Sequence, residues 1–236
     1  MRILAIDSSA TAASAALVDD GKVLGEFYIN TSLTHSQTLM PMIDNVLNCT
    51  RTDLDSVDLF AVSAGPGSFT GIRIGVASIK GLAMAQNKPC VGVSTLEAMA
   101  HNLEHLECTV CAVMDARCGQ VYNAIFKAHA GSLERITPDR ALSIDDLAQE
   151  CENYSKPLFL VGDGAKLCYN NEKFKNGNAI LPPEPLIYQR ACGVAMAALT
   201  AYEHGGAVTP AALMPIYLRL PQAERELKKR LKGENK

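Results

Sequence analysis

The sequence predicts an α/β protein built from two related halves. Short apolar runs of strand length alternate with segments of helical spacing along the chain, and the same order of elements begins twice. In each half the first apolar run ends in an aspartate, Asp7 in one and Asp115 in the other. In each half a later run leads into a glycine loop, at residues 65–67 and 162–164. We therefore expect two lobes that share the same order of strands and helices.

The first half contains the clearer signals. The dipeptide Asp20-Gly21 separates two apolar runs, which is typical of a β-hairpin, and helical spacing of apolar residues follows it. The predicted elements are strands at 2–6, 12–18 and 23–29, a helix at 36–47, a strand at 57–64, a helix at 71–85, a strand at 90–93 and a helix at 95–103.

The second half repeats this order in reduced form. Its predicted elements are strands at 109–114, 119–127 and 133–137, a helix at 144–151, a strand at 158–161 and a helix between 189 and 204. Two βββαβα-type lobes that face each other across a cleft are the layout of the two-lobed actin-like, sugar kinase and Hsp70 (ASKHA) fold. We expect a first lobe with partner-binding helices at 1–104, a second, reduced lobe at 105–221 and a basic tail at 222–236.

Composition excludes several classes of protein. A chain of 236 residues with 48% apolar residues can bury a full core, and its net charge of -3 gives no sign of a strongly basic nucleic-acid-binding surface. The apolar run after Met1 is shorter than a signal-peptide core, no stretch has the length of a membrane span, and eight scattered cysteines are typical of reduced thiols. We expect a cytoplasmic protein with no membrane association, in which Cys108 and Cys111 point to opposite faces of one strand.

The strand-end aspartates and the glycine loops are the candidate nucleotide-binding elements. In this fold, such loops offer backbone N–H groups to phosphates and the leading aspartate positions a metal or water. We expect Asp7 and Asp115 to face each other across the cleft, which leaves an ATPase or phosphotransferase as the alternative function. Because the second half offers no adenosine pocket that we can identify, we interpret the loops as vestigial: Asp7, Ser8, Ser9, Gly65, Gly67, Ser68, Asp115, Gly162 and Gly164.

The helix predicted at 71–85 suggests a binding surface instead. One of its stripes is apolar and a neighbouring stripe consists mostly of small residues, including Gly71, Gly75 and Ser78. Small residues allow another helix to approach closely, either within this chain or from a partner. We expect the approaching helix to come from a partner protein.

Several motifs of the chain resemble the TsaB (YeaZ) family. They are ILAIDSS at the start, THSQTLMPMID at 34–44, SAGPGSFTGIRIGVASIKGLA at 63–83, GVSTLEAMA at 92–100, DARCGQVYNAIF at 115–126 and MPIYLRLPQAE at 214–224. The resemblance implies a noncatalytic subunit that heterodimerises with the threonylcarbamoyltransferase TsaD, supports binding of the ATPase TsaE, and pairs with itself when TsaD is absent. The modified base is the anticodon-loop adenosine of tRNAs that read codons beginning with A.

The resemblance also bears on cofactors and on the partner interface. Thr95 and Met99 occupy the positions of two metal-binding histidines of TsaD, so we expect neither a metal site nor catalytic residues. We expect no cofactor of the chain itself, although ATP or ADP could bind at the interface of the complex, and any tRNA contact would be indirect. The predicted interface residues are His35, Leu39, Met42, Ile43, Val46, Gly71, Ile74, Gly75, Ser78 and Leu82.

Overall fold

A computed structural model describes residues 1–31, 33–175 and 179–219. The first sheet has five strands in the order β3-β2-β1-β4-β5. Strands β1, β2 and β3 are antiparallel, and Asp20 and Gly21 form their predicted tight turn with positive φ at both positions. Strands β4 and β5 run parallel to β1. The bounds are β1 (Arg2–Asp7), β2 (Ala12–Asp19), β3 (Lys22–Asn30), β4 (Leu59–Gly65) and β5 (Cys90–Ser94).

The second sheet repeats this plan. Its order is β11-β10-β6-β7-β8, with β6 and β7 antiparallel and β10 and β11 parallel to β6, and a further strand, β9, pairs with β7. The bounds are β6 (Cys108–Asp115), β7 (Gln120–His129), β8 (Ser132–Arg135), β9 (Arg140–Ser143), β10 (Leu158–Val161) and β11 (Ala179–Ile180). The predicted two-lobed α/β fold is therefore confirmed. The sequence prediction lacked β9 and β11 and extended β8 by two residues.

The helices and sheets form five layers. Alternate residues of β1 point to opposite faces, so that Leu4 and Ile6 pack toward α1 and α2 while Ile3 and Ala5 pack toward α7. Helix α3 covers the inner face of the second sheet, and α4 and α5 cover its outer face. The bounds are α1 (His35–Thr50), α2 (Phe69–Gln86), α3 (Thr95–Ala100), α4 (Ile144–Cys151), α5 (Ala165–Tyr169), α6 (Glu172–Lys175) and α7 (Ala191–Glu203).

The end of the described chain packs on the first lobe, which corrects the predicted second lobe at 105–221. Helix α7 is apolar on most of its surface and covers the inner face of the first sheet. Its Gly193 lies so close to the Ala98 carbonyl oxygen of α3 that a Cβ would collide with it. Val208 then bridges to Cys90 of β5, and Leu213 is buried in the first-lobe core. The predicted tail at 222–236 lies outside the described residues.

Among the residues that the structure describes, no helix is long and apolar enough to cross a membrane.

Candidate functional site

A cavity of about 450 Å³ lies between the two lobes. The turn after β1 and the glycine loop before α2 form its first-lobe wall, and the ends of β6 and β10 form its second-lobe wall. Its size is within the usual range for small-molecule sites. Charged and aromatic side chains from both lobes line it: Phe69, Asp115, Arg117, Tyr122, Asp163, Tyr217 and Arg219.

The first-lobe wall consists of two loops that are joined by a hydrogen bond. The backbone N–H of Ser68 donates to the carbonyl oxygen of Ser9 at 2.6 Å, which joins the glycine loop to the β1–β2 turn. The Ser68 hydroxyl also accepts from the N–H of Gly71 and so caps α2. Ser9, Gly67 and Ser68 line the cavity, whereas Ser8 is buried behind it. The amino end of an 18-residue helix therefore lies at the cavity wall.

Asp7 does not face the cleft, so the prediction that it would oppose Asp115 there is wrong. Its carboxylate is fully buried and is absent from the cavity lining. One oxygen accepts from the N–H and the hydroxyl of Ser9 at 2.9 and 2.8 Å, and the other accepts from the Ser63 hydroxyl. Burial raises the pKa of Asp7 and these hydrogen bonds oppose the rise. Asp7 therefore joins β1, the following turn and β4.

The second-lobe wall carries two carboxylates. Asp115 accepts from the backbone N–H of Arg117 at 2.7 Å. Burial, followed by the nearby charge of Asp115, raises the pKa of Asp163 to about 6. Asp163 itself is not among the predicted site residues, although the glycines on either side of it are. Gly162 and Gly164 are buried and form the turn that presents this side chain to the cavity.

A strap of the chain, residues 214–219, crosses from one lobe to the other beside the cavity. The N–H of Ile216 donates to the Ala64 carbonyl oxygen at 2.7 Å, and Gly65 has a positive φ where the Ile216 carbonyl leaves no room for a Cβ. The guanidinium of Arg219 reaches the carbonyl oxygen of Ala116 in the second lobe at 3.3 Å. The strap is not predicted from the sequence, because no local pattern shows that residues 214–219 return to the first lobe.

Aromatic and cationic side chains hold this strap to α2. The rings of Phe69 and Tyr217 lie 5.0 Å apart, and the Arg73 guanidinium lies 3.7 Å above the centre of the Phe69 ring. The Nε of Arg73 also donates to the Tyr217 hydroxyl at 2.8 Å.

Six of the ten predicted interface residues belong to the core of this chain, so their assignment to a partner surface is wrong. The side chains of α1 that show helical spacing point at the first sheet. Gly71 and Gly75 lie against the turn after β1, where a Cβ on either would collide with the backbone carbonyl or the hydroxyl of Ser8. The six buried residues are Leu39, Met42, Ile43, Val46, Gly71 and Gly75.

The other four predicted interface residues are half-buried, and three of them belong to an uncharged stripe on α2. His35, the fourth, begins α1 and makes a 2.6 Å hydrogen bond to the Ala10 carbonyl oxygen. The stripe, which we call the α2 face, alternates half-buried and exposed residues at a spacing of three and four. Its exposed members Ala77, Gly81 and Ala85 are not among the predicted interface residues. The α2 face consists of Ile74, Ala77, Ser78, Gly81, Leu82 and Ala85.

Comparison with known proteins identifies the family. The family model described as TsaD, tRNA N6-adenosine threonylcarbamoyltransferase, matches residues 25–175. A protein of Escherichia coli named tRNA threonylcarbamoyladenosine biosynthesis protein TsaB is 31% identical over 93% of this chain and 95% of its own length. The chain belongs to the TsaB family. The resemblance found in the motifs is thereby confirmed.

Further relatives agree with TsaB membership. The Bacillus subtilis protein of the same name is 33% identical over 71% of this chain and 73% of its own length. The solved structure of YeaZ from Pseudomonas aeruginosa superimposes with a TM-score of 0.74 at 27% identity and covers 92% of this chain and 100% of that protein.

Thr95 and Met99, which the TsaB resemblance aligns with metal-binding histidines of TsaD, lie on α3 between the lobes. Both are fully buried, and Met99 packs in an apolar cluster with Leu96 of α3 and Phe126 of the second sheet. Among the described residues, no group of three or more His, Cys, Asp or Glu side chains could hold a metal ion.

Proposed function

We propose that this chain acts in tRNA threonylcarbamoyladenosine biosynthesis as a noncatalytic subunit that binds TsaD and thereby supports TsaE. The observation that carries the proposal is the α2 face, an uncharged stripe of mostly small residues. Its members Ala77, Gly81 and Ala85 are exposed, and Ile74 and Leu82 are half-buried at the edge of the first-lobe core. Family membership supports the pathway, and the α2 face supports the mode of action.

The α2 face suits a helix from a partner protein. Ile72, Val76 and Ile79 anchor the opposite side of α2 in the core, so the orientation of the helix is fixed without a partner. Arg73 and Lys80 lie outside the stripe, and Lys80 donates to two main-chain carbonyl oxygens, of Ala211 and Leu213. With small side chains and no charge in the stripe, a second helix could approach closely at little desolvation cost.

Three features support a noncatalytic role. Asp7, the leading aspartate of the first lobe, is held by three hydrogen bonds below the cavity. Helix α5, which follows the second glycine loop, has only five residues and so gives little axial dipole for a phosphate. Thr95 and Met99 are packed in the interior between the lobes.

Gly81→Arg tests the proposal directly. A Cβ at Gly81 would meet no atom within 4 Å, so the folded chain has room for the new side chain, and replacing a helix-interior glycine favours the helix by about 1 kcal/mol. We expect the purified variant to be at least as thermostable as the wild type and to lose co-purification with TsaD. Gln149→Arg, on the exposed side of α4 beyond the second sheet, is the matched control and should retain binding.

Undiminished binding of TsaD by Gly81→Arg would contradict the α2 face as the docking surface.

Mass measurement of the wild type alone tests the homodimer that we propose for conditions without TsaD, and Gly81→Arg should shift the homodimer to a monomer. Addition of TsaE and of ATP or ADP to the complex tests whether a nucleotide binds at the subunit interface. Crosslinking with tRNA tests the proposed indirect contact.

The inter-lobe cavity favours a second candidate function, binding or hydrolysis of a nucleotide by this chain alone. Its support is the amino end of α2 on one wall and Asp115 with Asp163 on the other. Calorimetric titration with ATP and magnesium distinguishes the two functions. Tight binding that Asp115→Asn abolishes would favour the second candidate, and no heat of binding would favour the subunit role.

A further inference from the structure

Two buried thiols touch in the second lobe, on the side of the sheet away from the cavity. The Sγ of Cys151 donates a weak hydrogen bond to the Sγ of Cys111 across 3.9 Å. Cys111 is in the middle of β6, Cys151 is the last residue of α4, and Cys168 of α5 belongs to the same cluster. Cys108, three residues before Cys111, packs on the opposite face of β6, as the sequence analysis expected.

A polar network reaches Cys111 through an otherwise apolar core. The side-chain amide of Asn123, which is fully buried, donates to the Sγ of Cys111 at 3.4 Å. Its carbonyl oxygen accepts from Arg140 at 3.1 and 3.3 Å, and Arg140 pairs with Glu150, one residue before Cys151. The network therefore connects Cys111 of β6, through Asn123 and Arg140, to the residue before Cys151 on α4, and none of its members lines the cavity or belongs to the α2 face.

The two thiols differ in their access to solvent. Cys151 retains 8% of its surface at the end of α4, whereas Cys111 has none. Burial, with Cys151 and Cys168 beside it, holds the pKa of Cys111 well above its usual range, and the Asn123 hydrogen bond opposes that shift. Cys151 is therefore the more accessible of the two residues.

We propose that Cys111 and Cys151 form a peroxide-responsive dithiol that closes to an intramolecular disulfide. A hydroperoxide, ROOH, oxidises the Cys151 thiol to a sulfenic acid and leaves as the alcohol ROH. The Cys111 sulfur then attacks the Cys151 sulfur, and the displaced hydroxide takes the Cys111 proton and leaves as water. Two thiols thus lose two electrons and two protons to one peroxide. The sulfurs must approach by about 2 Å to reach bonding distance.

The disulfide would tie the end of α4 to the middle of β6. Strand β6 ends at Asp115 in the cavity wall, so the oxidised chain would have less freedom between that wall and the outer helix layer. The dithiol is independent of the proposed function, since it uses no residue of the α2 face.

Peptide mapping of the full chain tests this inference. The protein is treated with hydrogen peroxide, its remaining thiols are alkylated in denaturant, and it is digested without reductant. We expect a cross-linked pair of peptides that contains Cys111 and Cys151, lighter than the separate peptides by two hydrogen atoms and restored by dithiothreitol. Cys118, which is exposed, serves as the internal reference for exposure to oxidant.

Two variants make the outcome specific. Cys118→Ser should leave the cross-link unchanged, and Cys111→Ser should abolish it and let Cys151 proceed to sulfinic acid. The inference is overturned if Cys111 remains fully alkylatable after Cys118 has been oxidised, or if Cys151 cross-links to Cys168 instead. Both failures can be observed in the wild-type chain, so neither depends on the folding of a variant.

Discussion

Gly75 and Gly81 lie on the same helix, and the same substitution at each should change stability in opposite directions. A Cβ at Gly75 would lie 2.5 Å from the Ser8 hydroxyl and 3.2 Å from a methyl of Val62, both in the packed interior. A Cβ at Gly81 would meet nothing within 4 Å. Gly75→Ala and Gly81→Ala are therefore a matched pair: the gain in helix propensity is the same at both sites, and only the packing around the new methyl group differs.

The magnitudes follow from three terms. Glycine to alanine in a helix interior favours folding by about 1 kcal/mol at either site. At Gly75 the new methyl adds an overpacking cost of about 1–3 kcal/mol, and it displaces the Ser8 hydroxyl, which donates to the Gly71 carbonyl oxygen at 2.9 Å and contributes about 1 kcal/mol. We expect Gly75→Ala to lower the free energy of unfolding by about 2 kcal/mol and Gly81→Ala to raise it by about 1 kcal/mol.

Urea denaturation of both variants and the wild type measures these differences. For a chain of this length, we expect the melting temperature to fall by about 4–8 °C for Gly75→Ala and to rise by about 2–4 °C for Gly81→Ala. A Gly75→Ala variant as stable as Gly81→Ala would refute the assignment of Gly75 to the core, and with it our correction of the predicted interface.

Three other predictions concern the lobe contacts and the cavity. Glu26→Gln should lower the free energy of unfolding by about 1–3 kcal/mol in urea denaturation, because the nearly buried carboxylate pairs with Arg190 and accepts from the N–H of Cys192 at the start of α7. Asp163 has a pKa raised from 3.8 to about 6, so its contribution to stability is complete below pH 3.8 and is lost as the pH rises through 6. Asp163→Asn should therefore raise the free energy of unfolding by up to about 3 kcal/mol at pH 7 and by almost nothing at pH 3.5. An equal gain at both pH values would contradict this assignment. Tyr217→Ala removes the ring that packs on Phe69, and we expect the Ile216 amide hydrogen to exchange about tenfold faster, while an unchanged rate would show that the strap does not depend on this contact.

The local pattern was sufficient to predict most of the two sheets. The hairpin of β2 and β3 is specified by Asp20-Gly21, a turn that needs positive φ at both positions, and the apolar runs on either side have strand length. Strand β9 could not be predicted in the same way, because its four residues, Arg140–Ser143, have no apolar alternation and pair with residues 120–123 of β7, outside any short sequence window. Local sequence predicts strands well where turn chemistry and burial agree.

The candidate site was only partly predictable for a related reason. The loops at Ser9, Gly67 and Asp115 meet at one cavity as the duplicated plan implies. Tyr217 and Arg219 join them only because the chain returns from α7 to the first lobe, and that return depends on contacts between residues more than 100 positions apart, such as Arg73 with Tyr217. No periodicity within a short window carries that information.

Helix α2 shows most clearly what a sequence pattern does not predict, namely which group packs against each side of a helix. Small residues at a spacing of four occur on two of its sides, Gly71 with Gly75 and Ala77 with Gly81. The pattern predicts that another part of this chain or of a partner packs closely on each side, but it does not identify which of the two. The turn after β1 occupies the first side, where the Ser8 carbonyl and hydroxyl leave no space for a methyl, and nothing in the described chain occupies the second at Gly81. A stripe of small residues therefore predicts a partner only after the contacts within the chain itself have been assigned, and on α2 that assignment moves the proposed docking surface from Gly71 and Gly75 to the α2 face.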